Sequence, residues 1–305
     1  LVQARRLEAR TRRSPAVRGA ALVLHAVAAC GGDARLEIDP PLAAERLDAM
    51  VGYLAQRYRL VRAGDLPAAA HARRPGQRVP VAVTFDDDLP SHQELAAPIL
   101  NRHGAVATVF LCGIQEPFWW QLLQVAVDTR AIDPEGLAPL PADLLGCALQ
   151  RRPAAIRQLA KAVEDLPPSQ RDDVTARLAR AIEKPPALLT AQARAHLAAV
   201  GWEIGFHTRR HDVLTALDDD ALREALERGR DDVGDGAVRT LAYPHGKAQQ
   251  REARAARQAG YVAAYTGRAE VLTERTDPHL IGRLQPSTAT LGRFALELAR
   301  TLSAP

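Results

Sequence analysis

Cysteine is scarce in this chain of 305 residues, which contains Cys30, Cys112 and Cys147 and no CxxC pair. Cysteines so few and so far apart exclude a disulfide framework and a cysteine-based structural zinc site, and they make a reducing compartment the default expectation. Long apolar runs are also missing, since none reaches the roughly 18 residues of a membrane-spanning helix. The sequence therefore predicts no transmembrane segment.

The motifs of several large enzyme classes are absent as well. No serine lies in a GxSxG turn, which removes the nucleophile of an α/β-hydrolase. Neither a GxxxxGKS/T loop nor a GxGxxG after a strand occurs, so the phosphate-binding loops of ATP hydrolysis and dinucleotide binding are lacking. Hydrophobic residues at 47% and charged residues at 25% are average for a globular protein, which excludes disorder and coiled coil for the chain as a whole.

Positive charge is concentrated at the amino terminus. Residues 1–18 carry six arginines against Glu8 alone, a net charge of +5, whereas the whole chain has a net charge of +4. The rest of the chain is therefore near −1. We predict a basic N-terminal tail over residues 1–18 and no nucleic-acid partner for the folded body.

The apolar run over residues 19–29 follows these arginines and ends in Ala-Ala-Cys, as a secretory or lipoprotein signal does. The run is short, however, and His25 lies in its middle. We interpret it as a buried first strand and expect a cytoplasmic protein. Export is the alternative if residues 1–30 act as a signal, and a true start upstream of Leu1 would reopen the question.

Apolar runs alternate with Ala-, Leu- and Arg-rich helical stretches along the chain, which is the pattern of a parallel sheet wrapped by helices. The runs cover residues 21–27, 59–63, 81–87, 107–113, 202–207, 239–244 and 261–266. Seven such units predict an α/β barrel formed by residues 19–114 and 197–305. The long interval between the fourth and fifth runs predicts a helical insert, residues 115–196, with helices over 117–128, 140–162 and 170–182. We expect this insert to lie over the barrel mouth.

Two motifs at the ends of strand-like runs carry metal-ligand chemistry. Asp86, Asp87 and Asp88 end the run VAVTFDDD, and neighbouring carboxylates need a divalent cation or a shared proton, although a solvated turn is the alternative for this motif alone. His207 and His211 lie four residues apart in HTRRH, and imidazole with carboxylate suits Zn²⁺. In a barrel the carboxyl ends of the strands form the active face, so we predict that the two motifs meet there. Because side chains alternate along a strand, the strand must end or curl between Asp86 and Asp87.

A third motif, Ala242-Tyr243-Pro244-His245-Gly246, runs from a strand into a tight turn, where a backbone N–H can bind an oxyanion. In this order the three motifs resemble those of the polysaccharide deacetylase family, also called the NodB homology domain or carbohydrate esterase family 4. The run LVLHAV resembles the family's opening strand and TFDDD its TFDDG motif. HTRRH resembles its HS/TxxH motif, and AYPHG resembles its Pro-Tyr-Gly turn. The resemblance extends over about residues 20–285.

The resemblance implies a distorted (β/α)7 TIM-like barrel and a metal-dependent deacetylase. It implies that Asp86 is the general base and that Asp87 binds the metal together with His207 and His211. Three protein ligands leave a coordination position open for water, whose pKa the metal lowers. The divalent transition metal we expect is Zn²⁺.

The resemblance also assigns supporting residues. Thr208 is expected to brace the substrate site through its hydroxyl, and the backbone N–H of His245, which replaces a commoner tyrosine, is expected to hold the oxyanion. Ala242 stands where many members have an arginine that pairs with the catalytic aspartate. We expect Arg239 or Arg283 to supply that cation at the substrate site.

Two further departures from the family pattern leave assignments open. Asp88 stands where the family usually has glycine, which adds a charge beside the metal ligand. An LxH motif near the C-terminus is absent, so the histidine that usually acts as general acid has no counterpart. His25, His92 and His279 are the candidates for that role.

These features predict a hydrolase that removes an N-acetyl or O-acetyl group from a carbohydrate or aminosugar-containing substrate. Trp119 and Trp120 in the insert are the candidates for stacking on a sugar ring, and at least one of them is expected to pack into the insert's own core. A metal-dependent amidase acting on a non-sugar amide is the second enzyme hypothesis. A catalytically inactive glycan-binding barrel is the third hypothesis, against which the intact ligand residues argue. The sequence does not specify an oligomeric state.

Overall fold

The computed structural model describes residues 1–234, 236–287 and 289–304. The chain forms two compact units. The first contains Leu1–Ala29, Leu42–Gly113 and Leu189–Pro305, and the second contains Cys30–Pro41 and Ile114–Leu188. Across the described part of the chain, every helix is too short or too polar to cross a lipid bilayer.

The regular elements alternate between strands and helices through most of the first unit. The strands are β1 (Ala20–Leu24), β2 (Val27–Ala28), β3 (Leu42–Ala43), β4 (Arg59–Val61), β5 (Pro80–Asp86), β6 (Thr108–Leu111), β7 (Glu203–Phe206), β8 (Thr240–Ala242), β9 (Ala263–Tyr265) and β10 (Arg283–Leu284). The α-helices are α1 (Val2–Arg13), α2 (Ala44–Arg57), α3 (Leu66–His71), α4 (Ala97–Arg102), α5 (Trp119–Thr129), α6 (Ala142–Leu149), α7 (Ala155–Glu164), α8 (Pro168–Ala181), α9 (Ala191–Ala199), α10 (Asp219–Glu227), α11 (Gln250–Gln258) and α12 (Leu291–Ser303).

Parallel hydrogen bonding joins the barrel strands in the order β10, β1, β5, β6, β7, β8, β9. A parallel bridge between Tyr265 in β9 and Ile281, just ahead of β10, nearly closes the ring. The described residues thus form a distorted barrel of seven parallel strands with helices, which confirms the predicted (β/α)7 fold class.

The predicted strand at residues 59–63 exists as β4, but it lies off this ring. Strand β4 pairs with the amino-terminal half of β5, on the edge that β6 occupies further along. The missing ring position is taken by β10, a strand of two residues. A strand of two residues produces no apolar run in the sequence. The predicted number of barrel strands, seven, was therefore correct, but β4 was counted in place of β10.

Alternation along the strands separates two cores. On β5, Val81, Val83 and Phe85 belong to the larger apolar cluster, which also contains residues of helices α2 and α4. Ala82 belongs to a smaller cluster with Phe110 and residues of β1, β8 and β9, which is the inside of the barrel. Because side chains alternate, Thr84 and Asp86 share the inward face with Ala82. Asp86 therefore ends the strand pointing into the barrel mouth.

The arginine-rich amino terminus differs from the expected basic tail. Residues 2–13 form α1, which packs on α12 and buries Ala4 and Thr11. Glu8 accepts hydrogen bonds from the hydroxyls of Tyr53 and Tyr58. The buried residues lie along one side of α1 and its arginines are exposed, so this segment is an amphipathic surface helix. A count of charges does not reveal this arrangement.

The second unit is helical and has its own apolar core, built from residues of α5 to α8. The helix expected over residues 140–162 is two helices, α6 and α7. Pro153 lies in the break, and Ala154 after it has a left-handed backbone with φ of 66°. Proline lacks the backbone donor that a continuing helix needs, so the chain turns there. The segment Cys30–Pro41, which was not expected in the insert, belongs to this unit.

Candidate active site

Every strand-end motif singled out in the sequence lies at the carboxyl edge of the barrel. Asp86 is the last residue of β5, His207 directly follows β7, and the turn with His245 directly follows β8. His25 directly follows β1. The carboxyl ends of parallel barrel strands meet at one face, so the topology itself assembles these side chains.

The first group at this face is a cluster of side chains that could hold a metal ion. One ligand atom from each of Asp87, His207 and His211 lies within 4.8 Å of the other two. The Nε2 atoms of the two histidines are each 4.0 Å from Oδ1 of Asp87. Two imidazoles and a carboxylate are a donor set that Zn²⁺ and its neighbours accept. The residues present therefore fit a divalent transition metal.

The protonation of His207 also fits a metal ligand. Its Nδ1 lies 2.8 Å from the carbonyl oxygen of Ala242, so Nδ1–H donates to that carbonyl and Nε2 carries the lone pair. Ligating histidines commonly have such a second partner, which sets the ring's tautomer and orientation. Burial lowers the pKa of His207 to about 4, although Asp86 opposes the shift. Burial, with His207 and His245 next in size, also lowers the pKa of His211, so both rings are neutral at pH 7.

Asp86 forms the second group, a buried ion pair with Arg283 of β10. The guanidinium donates two hydrogen bonds of 2.6 and 2.7 Å to the two carboxylate oxygens. It also donates to the hydroxyl of Thr84 and lies 5.5 Å from the ring centroid of Phe110. The side chains of both partners are 2–3% exposed. The guanidinium of Arg283 is thus held in one orientation by Asp86, Thr84 and Phe110.

Burial is the largest single effect on the pKa of Asp86 and would raise it, but the charge of Arg283, the charge of His207 and the hydrogen bonds from Arg283 together outweigh it. The pKa of Asp86 is lowered to about 2. Asp86 is therefore ionised at neutral pH even though water is excluded. Its Oδ2 lies 3.7 Å from Nε2 of His207, which places the carboxylate beside the ligand cluster.

The strand conformation ends between Asp86 and Asp87, as side-chain alternation requires if both carboxylates are to lie at the same site. Strand β5 ends at Asp86, and Asp87 has a left-handed backbone with φ of 72°. Nε2–H of His92 donates to the carbonyl oxygens of both residues, at 2.9 and 3.0 Å. Burial lowers the pKa of His92 to about 4. His92 thus holds the turn as a neutral donor, and its Nε2 proton is already engaged, which removes it from the general-acid candidates.

Two other residues predicted for the site are not brought to it. Arg239 precedes β8 and is exposed at the amino end of that strand, where it lines a cavity of about 340 Å³ with Trp202 and Glu203. The position just before a strand points to the face opposite the active one, so Arg239 does not pair with Asp86. Nε2 of His279 lies 2.8 Å from the carbonyl of Tyr261, ahead of β9, so this histidine is not a strand-end residue either.

Thr208 lies at the site, but its hydroxyl does not form the bracing contact that was expected. The side chain is 1% exposed, and its Oγ1 has no hydrogen-bond partner among the described residues. The backbone of Thr208 is left-handed, with φ of 58°, and its carbonyl accepts from the N–H of His211. Its contribution in the structure is the shape of the turn that brings His211 back toward His207.

His25 and His245 remain near the ligand cluster. The charge of His25 acts on Asp86, His207 and His211, which places it within electrostatic range of all three. The ring of His245 lies 4.7 Å from that of His211, measured between centroids. His245 also has a left-handed backbone, with φ of 56°, in the turn after β8.

The two adjacent tryptophans of the second unit have different surroundings. Trp119 packs against that unit's apolar core. Trp120 stacks on Phe118 with ring centroids 4.1 Å apart and planes 11° from parallel, and it meets Trp119 edge to face. Trp119 thus packs on the core, as expected for at least one of the two, and Trp120 is a member of an aromatic stack.

Asp88 forms buried hydrogen bonds that the sequence did not indicate. Its carboxylate is buried and accepts hydrogen bonds from the backbone N–H groups of Cys112 and Gly113, at 2.8 and 3.1 Å. Burial raises the pKa of Asp88 to about 6, against the effect of those two donors. The departure from the family's glycine at this position was the one available indication that residue 88 has a role of its own.

A family model described as polysaccharide deacetylase matches residues 175–264, the span that includes His207, His211 and His245. The resemblance to the polysaccharide deacetylase family is confirmed. No curated protein sequence matches the chain significantly.

Solved structures of deacetylases share the fold over nearly the whole chain. The Streptococcus pyogenes deacetylase PplD, in complex with acetate, has a TM-score of 0.62 at 15% identity and covers 95% of this chain and 100% of its own. IcaB from Ammonifex degensii has a TM-score of 0.56 at 17% identity, covering 94% of this chain and 98% of its own. A Bacillus cereus polysaccharide deacetylase has a TM-score of 0.57 at 14% identity, covering 92% and 69% respectively. At these identities the likeness establishes the barrel, and the polysaccharide deacetylase resemblance rests on the family match.

Proposed function

We propose that this protein is a metal-dependent deacetylase that hydrolyses an N-acetyl or O-acetyl group on a carbohydrate or aminosugar-containing substrate. The observation that carries the proposal is the cluster of Asp87, His207 and His211 beside the ion-paired Asp86, at the carboxyl edge of a deacetylase-type barrel. The bound metal, for which Zn²⁺ fits the donor set, would polarise the acyl carbonyl and lower the pKa of a water at the site.

The remaining catalytic roles belong to residues of the chain itself. Nδ1–H of His207 donates to the Ala242 carbonyl, which keeps the Nε2 lone pair directed at the ligand cluster. Asp86 is the carboxylate nearest that cluster apart from Asp87, so it accepts the proton of the attacking water. Arg283 orients Asp86 and keeps it ionised. The pKa of about 2 makes Asp86 a weak base, so proton transfer depends on a strongly acidified water.

The turn after β8 supplies the remaining polar groups. We propose that the backbone N–H of His245 donates to the oxyanion that forms when water adds to the acetyl carbonyl, because the left-handed backbone there turns the peptide chain back at the mouth. His25 is our candidate for the general acid that protonates the leaving nitrogen or oxygen. His92 and His279 are engaged elsewhere, so they do not compete with it for this role.

A screen for released acetate tests the proposal. The zinc-reconstituted protein is incubated with acetylated aminosugars, acetylated glycan oligomers, O-acetylated sugars and, as the comparison class, acetylated amines without a sugar. We expect acetate release from at least one sugar class, and loss of that activity after chelation with recovery on adding Zn²⁺.

The His207→Ala variant is the negative control, and Arg239→Ala, at the other end of the barrel, is the matched control that retains activity. Release from the sugar-free amides alone would replace the proposal with a general amidase. A zinc-loaded protein that cleaves none of these classes would contradict the proposed activity.

A further inference from the structure

We propose that Gly113 joins the two halves of the metal-ligand set, and that Asp88 and Arg209 are positioning residues that act through it. The inference rests on the proposed metal site. One half of that site is Asp87, at the end of β5, and the other half is the loop carrying His207 and His211. Strand β6 lies between β5 and β7, and its backbone carbonyls at Phe110 and Leu111 accept from the N–H groups of Asp87 and His207, at 3.0 and 2.8 Å. This pairing stops at the end of β6, before Asp88 and the rest of the histidine loop.

The link from the aspartate half begins at Asp88, which directly follows the ligand Asp87 in the chain. The two oxygens of the Asp88 carboxylate accept from the backbone N–H groups of Cys112 and Gly113, just beyond β6, at 2.8 and 3.1 Å. The backbone carbonyl of Asp88 accepts from the N–H of Leu189 at 2.8 Å. Asp88 is 1% exposed, so these bonds are shielded from water. The segment after β5 is thereby tied to the end of β6.

The link from the histidine half begins at Arg209, which lies between His207 and His211 in the chain. Its guanidinium donates to the carbonyl oxygen of Gly113 at 2.9 Å and forms an ion pair of 3.0 Å with Asp232. The planar fork of arginine serves both partners at once, whereas a lysine has a single charged nitrogen for them. The histidine loop is thereby tied to the same residue that Asp88 holds.

Gly113 is suited to this place because of its backbone. Its φ of 67° lies in the left-handed region, where residues with a side chain are strained. A Cβ at this position would come 2.7 Å from Cγ1 of Val233. In this conformation the N–H of Gly113 faces Asp88, and its carbonyl faces Arg209. Beyond the end of β6, the two ends of this one residue therefore connect the segment that follows Asp87 to the loop that carries His207 and His211.

The test is the affinity for Zn²⁺, measured by competition with a chromophoric chelator on metal-free protein. We expect Asp88→Gly and Arg209→Ala each to raise the dissociation constant about 10- to 100-fold, the usual effect of removing a group that orients metal ligands. Asp88→Asn keeps one acceptor oxygen and is expected to fall between wild type and Asp88→Gly. Arg210→Ala is the matched control, because Arg210 is 62% exposed, lies on the same loop and pairs with Asp212. It should bind zinc as wild type does.

A double-mutant cycle tests the shared route through Gly113. If both residues act through it, Asp88→Gly combined with Arg209→Ala raises the dissociation constant by much less than the product of the two single effects. A full product would show that the residues act independently and would overturn the inference. So would zinc affinities of both single variants within twofold of wild type.

Urea unfolding of each metal-free variant separates positioning from general stability. A merely structural role would lower the unfolding midpoint while the folded fraction bound zinc with wild-type affinity, and that result would also overturn the inference. Weak binding with a near-wild-type midpoint supports it. If the wild-type protein itself bound no zinc, the proposed metal site would fail first, which is distinguishable from tight wild-type binding with unaffected variants.

Discussion

Replacing Arg283 with methionine removes the cation that holds Asp86 ionised inside the barrel. The two hydrogen bonds of 2.6 and 2.7 Å are lost, and the carboxylate keeps its burial at 2% exposure without a compensating charge. Breaking a buried ion pair by removing one partner costs about 3–5 kcal/mol. The difference between the pKa of about 2 and the ordinary 3.8 accounts for about 2 kcal/mol of this at neutral pH.

The sign of the pH dependence distinguishes this cause from a packing defect. In the wild type the pKa of Asp86 is lowered, so its contribution to stability is present above about pH 4 and is lost as the pH falls toward 2. In Arg283→Met, burial is no longer outweighed and the pKa of Asp86 rises above its ordinary value. The free energy of unfolding of the variant, relative to wild type, therefore falls further as the pH rises from 4 to 7.

Urea denaturation of the metal-free protein at several pH values is the assay. Asp86→Asn in the Arg283→Met background removes the uncompensated charge and should restore part of the loss, whereas Arg239→Met, an exposed arginine at the other end of the barrel, should change stability by less than about 0.5 kcal/mol. A loss below about 1 kcal/mol for Arg283→Met, or no recovery in the double variant, would refute the reasoning, because a buried pair left unpaired costs more than that.

Three other changes probe separate features. Asp86→Asn should retain metal and lose about 10²–10⁴-fold in hydrolysis, since an amide cannot accept the water's proton, whereas Asp87→Asn should lose metal; the reverse pattern would exchange the two roles. Trp119→Ala should destabilise the protein by about 1–3 kcal/mol through lost core packing, and Trp120→Ala should instead raise KM for the sugar substrate, so an unchanged KM argues against sugar stacking. Burial holds the pKa of His92 near 4, so the folded state binds fewer protons than the unfolded state below pH 6.5; urea titrations should show stability falling between pH 6.5 and 4, and a flatter profile in His92→Gln.

The barrel was predictable because its strands carry long buried apolar runs. Strand β5 is buried along its whole length, and a strand of this kind is recognisable in a sequence as a nearly continuous apolar run. The sequence did not show which strands belong to the barrel ring. β4 and β10 are three and two residues long, and hydrogen-bond partners, not composition, decide that β10 closes the ring while β4 stays outside it.

The ligand cluster was predictable for a similar reason, since strand ends in a parallel barrel converge on one face. The groups that contact Asp86, Asp87 and the two histidines were not. Arg239 and Arg283 were equivalent in the sequence, and only the structure shows that the guanidinium of Arg283 in β10 reaches Asp86, whereas Arg239 lies just before β8 at the amino end of that strand. The bonds from His92 to the turn carbonyls and from Asp88 to the end of β6 join residues through backbone atoms, which leave no trace in residue types.

The most direct test of the central claim is the metal content of the purified protein and of its His207→Ala variant, measured by elemental analysis after dialysis against zinc. The cluster of Asp87, His207 and His211 predicts one zinc ion per wild-type chain and none retained stoichiometrically in the variant. A His207→Ala protein as fully loaded as wild type would contradict the assignment of this cluster as the metal site.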